Sequence, residues 1–209
     1  MSVNGRKTKE MIIGPITKQP PTQLTLDGAT IDRVKTFKLL GVHVSDDLKW
    51  LHHIEKFCSK ASSRLHFLKL LAQSGASHGD LVNFYTSIVR PILEYACPVW
   101  HSSITVAQSN TLETIQKRAM RIARLPFDYK TACILVGIDT LIARREQLTK
   151  KFFNRSVLNT ESCLHYLLPE KRDPAIINKL RKSSQFQISQ SRTVKFSKSL
   201  IPYCLTNYL

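Results

Sequence analysis

Hydrophobic spacing along the chain changes near residue 50, and the change divides the expected structure. Before it, apolar residues come in short runs and alternations. Met11-Ile12-Ile13 is closed by Gly14-Pro15. Leu24 and Leu26 alternate with polar residues up to Asp27-Gly28, a type I′ hairpin signal, with Ile31 on the return arm. Phe37 to Val44 predicts a further strand, with Gly41 at a bulge or a close backbone approach. Three short strands cannot bury both faces of a sheet, so this half-layer is expected to lack neighbours.

From Leu51 the period becomes 3.6. Ile54, Phe57, Cys58, Ala61, Leu65, Leu68 and Ala72 form one stripe, with Lys56, Lys60, Arg64 and Lys69 largely off it, and Gly75 breaks the run. In the weakly charged stretch His78 to Trp100 a second stripe runs through Leu81, Phe84, Tyr85, Ile88, Ile92, Tyr95, Ala96 and Val99. Ser77 is its expected N-cap, and Pro91 is expected to kink it or to start a second segment. A third helix is predicted over about Val106 to Leu125, burying Leu112, Ile115, Ala119 and Ile122 and ended by Pro126. Three such helices predict an up-down-up bundle. A short helix at Thr131 to Val136 then stops at Gly137. Thr140 caps a further one, with Leu141, Leu148 and Phe152 inside and Arg144, Arg145, Lys150, Lys151 and Arg155 outside. Beyond Asn159 the pattern thins. A short helix near Ala175 to Arg181 and otherwise extended or partly disordered chain are expected, ending in the patch Ile201-Pro202-Tyr203.

The expected class is therefore α+β, mostly α. Residues 1–50 would form a small β-rich region, 51–125 the bundle, 126–159 additional helices and 160–209 a basic tail.

Composition changes that picture through charge. Lys and Arg number 31 against 15 Asp and Glu, a net +16 that favours a polyanionic partner, nucleic acid first and an anionic membrane surface second. Lys117, Arg118, Arg121 and Arg124 concentrate it as a ridge on the third helix, where a solvated face and phosphate contact both fit and the basic excess favours the second. The five cysteines are scattered with no CxxC spacing, which argues against a disulfide framework or a zinc finger. Cys163 and His165 make only two ligands of a tetrahedral site. The basic N-terminus is no secretory signal and no apolar run spans a bilayer, so an intracellular protein of cytoplasm or nucleus is expected, with no membrane partner.

Candidate chemistry is sparse. Asp46-Asp47 has the residue type of a two-metal site, but it lies at a strand-to-helix junction with no third acid on a neighbouring strand, and reads as turn and helix-start carboxylates. His52-His53 lacks HExxH spacing and reads as a solvated helix start. Tyr95 and Trp100 could stack on bases, but the stripe predicts both as core. No phosphate-cradling glycine loop or nucleophile elbow occurs.

A set of blocks in fixed order says more. Asn4-x-x-Lys7-Thr8-Lys9-x-Met11, Phe37-Lys38-Leu39-Leu40-Gly41-Val42, Leu48-x-Trp50-x-x-His53-Ile54 and Leu93-Glu94-Tyr95-Ala96-Cys97-Pro98-Val99-Trp100 come first. Leu112-Glu113-x-x-Gln116-x-x-Ala119-x-Arg121-Ile122, Leu141-x-x-Arg144-Arg145-Glu146-x-Leu148 and Phe196-x-x-Ser199-Leu200-Ile201-Pro202-Tyr203 continue the order. Together they resemble non-LTR (LINE-type, jockey-like) retrotransposon reverse transcriptases over nearly the whole chain.

The resemblance implies a palm edge in the first block, with Lys7 as a possible general acid for the leaving pyrophosphate in the intact enzyme. It implies a primer grip at Phe37–Val42, where Lys38 and Gly41 would meet nucleic acid, and a thumb whose helices contact the phosphates of a template–primer duplex. The family's Mg²⁺-binding aspartates lie upstream of the first block. A carboxy-terminal fragment is therefore expected, with no catalytic or metal-binding residue and no cofactor of its own, inactive as a polymerase. Its expected partner is RNA or RNA/DNA duplex, bound without sequence preference, and a missing palm and fingers segment is another. The rival readings are a free-standing helical adaptor that binds protein and a decayed open reading frame without a selected role.

Overall fold

Among the described residues, short strands fill the beginning of the chain and helices the rest, 57% helix and 10% strand, an α+β arrangement that is mostly α. The computed structural model describes residues 4, 7–14, 20–26, 28–125, 127–177, 185–187 and 190–209. Pro15, Asp27 and Pro126, and the Lys179, Arg181 and Lys182 part of the tail, lie outside the described residues. The chain divides into two units, Met1–Lys56 and Phe57–Leu209.

The described residues of the first unit include the strands β1 (Lys9–Glu10), β2 (Thr25–Leu26), β3 (Ala29–Thr30), β4 (Asp32–Arg33), β5 (Thr36–Leu39) and β6 (Val42–Ser45). Among the described residues they pair two by two, β1 parallel to β4, β2 antiparallel to β3 and β5 antiparallel to β6. Met11–Ile13, read above as an apolar run among strands, carries no strand of its own; pairing falls on Lys9–Glu10 instead. Charge explains that shift. Lys9 Nζ lies 2.6 Å from Asp32 and Arg33 Nη2 lies 2.7 Å from Glu10, so both residue pairs that match β1 to β4 are also tied by ions.

The strand expected over Phe37–Val44 is two strands. The chain reverses at Leu40 and Gly41, with φ of 46° and 86°, so both central residues have the positive φ of a type I′ turn and Leu39 pairs with Val42. Leucine at the first of these positions gave no turn signal in the sequence. Buried apolar side chains in this unit are Ile31, Val42, Trp50 and Ile54. His53 joins them, contrary to the solvated helix start expected of it: it is 0% exposed, and its Nδ1 accepts the His43 N–H at 3.1 Å. Burial, then the neighbouring His43 and His52, lowers its pKa to about 4, so the ring is neutral at pH 7.

The helices are α1 (Leu51–Gln73), α2 (His78–Phe84), α3 (Arg90–Glu94), α4 (Cys97–Trp100) and α5 (Val106–Ile122). They continue with α6 (Tyr129–Leu135), α7 (Leu141–Phe152), α8 (Pro174–Ile177), α9 (Val194–Ser197) and α10 (Leu200–Asn207). On α1 the buried apolar positions are those of the expected stripe, with Cys58 half-buried, and His53 is buried in addition. Ser77 caps α2 as expected, accepting the Asp80 N–H at 3.2 Å.

The second stripe is displaced. The buried residues are Leu81, Tyr85, Val89, Leu93, Cys97 and Trp100, whereas Ile88, Tyr95 and Val99 are exposed. Tyr85–Val89 forms a π turn immediately before Pro91. Proline has no N–H to give a preceding carbonyl and its ring crowds the turn before it; a wider turn relieves both. The wider turn also keeps a four-residue step on one face from Leu81 to Cys97. Ala96 then takes a left-handed φ of 49°, which turns Tyr95 outward and Trp100 inward. Trp100 is thus core, as expected, and Tyr95 is not.

Arg145 is the other reversal. Expected outside, it is fully buried, where Nη2 donates to Ser109 Oγ at 2.7 Å, Nε donates to His101 Nδ1 at 3.5 Å and the guanidinium lies 5.8 Å from the Trp100 ring centre. With Nδ1 accepting, His101 donates through Nε2 to Glu146 at 2.6 Å, and Tyr203 donates to the same carboxylate at 2.9 Å. Burial pushes the Glu146 pKa up, but its donors His101, Tyr208 and Tyr203 outweigh that and leave it below the ordinary value. The end of the chain is therefore not extended. α10 buries Cys204 and Leu205 with Phe153, Val157 and Phe186 in a satellite core.

Candidate nucleic-acid interface

α5 begins with a capping box: Thr105 Oγ1 accepts the Gln108 N–H at 3.2 Å and Gln108 Oε1 accepts the Thr105 N–H at 2.8 Å. Its inner face buries Leu112, Ile115, Ala119 and Met120, together with the polar Glu113 and Gln116. Those two polar residues tie the helix to its surroundings. Gln116 Oε1 accepts from Tyr85 Oη at 2.6 Å, and Gln116 Nε2 donates to Tyr129 Oη at 2.9 Å and to the Asp139 carbonyl at 3.0 Å. Tyr129 in turn donates to Glu113, which also accepts the Leu141 N–H at 3.2 Å. Burial, and then the Glu113 carboxylate, pushes the Tyr129 phenol up, so it remains a donor. A network this connected holds the outer face of α5 in one orientation.

On that outer face stand Lys117, Arg118 and Arg121, all exposed, with Arg124 exposed just beyond the helix end. No described acidic side chain lies within ion-pair distance of any of the four. Like charges at i,i+3 and i,i+4 destabilise a helix by roughly 0.2–0.5 kcal/mol per pair. Arg121, in the last turn, recovers part of that from the helix dipole. The ridge is thus a concentration of cation that the described carboxylates do not neutralise.

The end of α5 differs from the sequence expectation. The helix stops at Ile122, and Arg124 has a φ of 55°. Its N–H bonds the Arg121 carbonyl at 3.0 Å and the Leu125 N–H bonds the Met120 carbonyl at 3.4 Å, the paired bonds of a Schellman cap with arginine in the left-handed position. α6 ends the same way with glycine there: Gly137, φ 65°, bonds Ile134 and the next N–H bonds Cys133. Glycine again, Gly75 at φ 87°, follows α1. Arginine in that conformation costs about 1 kcal/mol relative to glycine.

Between the ridge and the start of α6 lies a pocket of about 200 Å³, lined by Lys117, Arg121, Phe127, Asp128 and Tyr129 among others. Lys117 Nζ sits 5.4 Å from the Tyr129 ring centre, and Phe127 is 54% exposed. Asp128 is turned to cap α6, accepting from the N–H groups of Lys130 at 3.1 Å and Thr131 at 3.4 Å. The hydrogen bond from the Thr131 hydroxyl, first among these donors, lowers its pKa. Phe127 and Tyr129 were not among the expected site residues. Their signal in the sequence was two aromatics flanking an acid directly after a basic helix.

The remaining expected residues lie in the first unit. Lys38 is exposed on β5 opposite His43, and Gly41 forms the turn of that hairpin. Every residue of β5 is exposed, Leu39 at 56% and Phe37 at 39%. Lys7 is exposed, its N–H bonded to the Asn4 carbonyl at 3.1 Å. Asp46-Asp47 does not fit a Mg²⁺ site. Asp47 Oδ1 accepts from Ser45 Oγ at 2.7 Å and from the Lys49 N–H at 2.9 Å, and Oδ2 faces Lys49 Nζ at 3.6 Å. The Lys49 N–H and then Ser45 hold its carboxyl below the usual range, as turn-capping carboxylates are held. Among the described residues no group of three or more His, Cys, Asp or Glu side chains could hold a metal, and no helix is long and apolar enough to cross a membrane.

Neither a known protein family, nor a curated protein, nor a solved structure matches this chain.

Proposed function

We propose that this chain is the primer-grip and thumb portion of a reverse transcriptase of the non-LTR retrotransposon type, and that it holds RNA or RNA/DNA duplex through phosphate contacts without reading sequence. One observation carries the reading: Lys117, Arg118, Arg121 and Arg124 form an exposed ridge with no acidic partner among the described residues, and the last of them occupies a backbone position that favours glycine. A polyanion would relieve the repulsion among the four and give the strained arginine a purpose. The exposed strand β5, carrying Lys38 and turning at Gly41 into β6, suits a segment that approaches a nucleic-acid backbone. The resemblance of the ordered blocks supplies the family.

The test is a binding isotherm series in salt. Affinity for an RNA/DNA duplex should fall steeply as salt rises, with a log–log slope near −0.9 per phosphate contact. Replacing all four ridge residues by alanine should reduce that slope by about 3–4 and weaken unrelated duplex sequences alike. A flat salt dependence of the native chain, or an unchanged slope in the variant, would overturn the proposal.

An apolar patch favours the second reading, a protein-binding adaptor. Phe67, Leu70 and Leu71 of α1 are 38–48% exposed and, with Phe84 and Ile88, line a shallow cavity of about 360 Å³. A stoichiometric protein partner that survives nuclease treatment and is lost in Phe67→Asp would support it.

A further inference from the structure

The pocket beside the ridge shares Lys117 and Arg121 with it and adds a concave shape and two aromatic rings that duplex binding does not use. A duplex presents its phosphates outward and keeps its base faces stacked inside, so it can lie along Lys117, Arg118, Arg121 and Arg124 and leave a concave pocket empty. Here the walls combine two cations, Lys117 and Arg121, with two aromatic rings, Phe127 and Tyr129. At about 200 Å³ it is smaller than the roughly 300–1,000 Å³ of ordinary ligand pockets. It suits one base, with its sugar and phosphate at the pocket mouth, better than a larger molecule.

We infer that this pocket receives a single unpaired nucleotide, its base against the exposed Phe127 ring and its phosphate on Lys117 and Arg121. The inference rests on the nucleic-acid reading above and adds to it a preference for a junction between duplex and single strand. Each wall has a separate reason to be ready. Tyr129 is fixed by Glu113 and Gln116, and its ring stations the Lys117 ammonium 5.4 Å from the ring centre before any ligand arrives. Arg121 lies one helical turn after Lys117, which puts both charges on the same side of the pocket. Phe127 is left 54% exposed, an apolar face of the size and planarity on which unpaired bases stack. Asp128 also lines the pocket and keeps its negative charge, but its oxygens are turned to the Lys130 and Thr131 donors and the two cations outnumber it. Stacking on a ring is indifferent to base identity, so the pocket adds affinity for an unpaired end without adding sequence preference.

The experiment measures the affinity of the full chain for three labelled probes: a blunt RNA/DNA duplex, the same duplex with a three-nucleotide single-stranded overhang, and the overhang strand alone. The native chain should bind the overhang duplex about tenfold more tightly than the blunt one. Phe127→Ala should abolish that gain and leave blunt-duplex affinity unchanged; Phe127→Trp should keep it. Thermal melting of each variant separates lost stacking from lost folding. An overhang that adds nothing, or a Phe127→Ala loss equal for blunt and overhang probes, would overturn the inference while leaving duplex binding intact. If the blunt duplex is not bound but the single strand is, and Phe127→Ala removes that binding, the duplex reading fails and the pocket stands. Binding of none of the three probes would sink both.

Discussion

The two units place their apolar residues differently. In the second, Trp100, Leu93, Leu112 and Leu141 are each 0% exposed, and the helices that carry them bury continuous stripes. In the first, Leu40 is 85% exposed, Leu24 61% and Leu39 56%, and the buried apolar side chains among the described residues are Ile31, Val42, Trp50 and Ile54. Two-residue and four-residue strands that pair only in twos offer each side chain one covered flank at most. A helix of 17 or 23 residues can instead line up a core face over several turns and leave its other face for charge. Among the described residues the first unit thus has a small buried set beside short ion-paired strands, while the second packs around buried polar networks.

That contrast has a direct test in truncation. Trp100→Ala removes a fully buried ring that faces Phe57 at 6.5 Å between centres and donates to the Tyr95 carbonyl at 3.0 Å. It should cost about 3–5 kcal/mol in denaturant unfolding. Leu39→Ala in the first unit should stay within about 0.5 kcal/mol. Equal losses would erase the distinction.

A middle-sized effect comes from acid. His53 has a folded pKa of about 4, below its ordinary 6.5, so the unfolded chain binds the proton more readily. Stability from this group is complete above pH 6.5 and is lost as pH falls toward 4. Between pH 7 and 5 the loss should be about 2 kcal/mol, read as falling amide protection in the first unit. His53→Asn keeps an acceptor for the His43 N–H but does not titrate, and should remove the larger part of that pH dependence; burial lowers the His43 pKa in the same direction and leaves a smaller acid response in the first unit. In the second unit burial lowers the His101 pKa in the same direction, so an acid response there should persist in the variant.

The smallest effects concern two side chains at left-handed positions. Leu40→Gly and Arg124→Gly each relieve a positive φ and should stabilise their own unit by about 1 kcal/mol. Only Arg124→Gly removes a ridge charge, so its gain in melting temperature should accompany weaker, less salt-sensitive duplex binding. A stabilised variant that binds as well as the native chain would mean that the arginine serves only as a helix end.

Much of the second unit was legible. The α1 stripe, the Ser77 and Thr140 caps and the exposed side of α5 follow from spacing and cap chemistry, because a helix repeats its face at a fixed step. The same logic failed where the step itself changed. Before Pro91 the π turn moved burial from Ile88 to Val89, and no residue count made with a constant period could show that. Of the candidate interface, the ridge was legible as charge, while the pocket beside it was not. Phe127 and Tyr129 come near Lys117 only because α5 ends at a Schellman cap and the chain turns back.

By itself the sequence determined the class of the molecule, the helical registers governed by a constant period, and the concentration of positive charge on one helix. Those are local properties, set by side-chain type and spacing alone. Tertiary structure alone decided that Arg145 and His53 are interior, that α10 closes on Phe153 and Val157, and that aromatic rings meet two cations in one pocket. Each of these depends on what a distant segment places opposite the residue. A guanidinium or an imidazole is tolerated inside only when hydrogen-bond partners from other segments are already there to receive it.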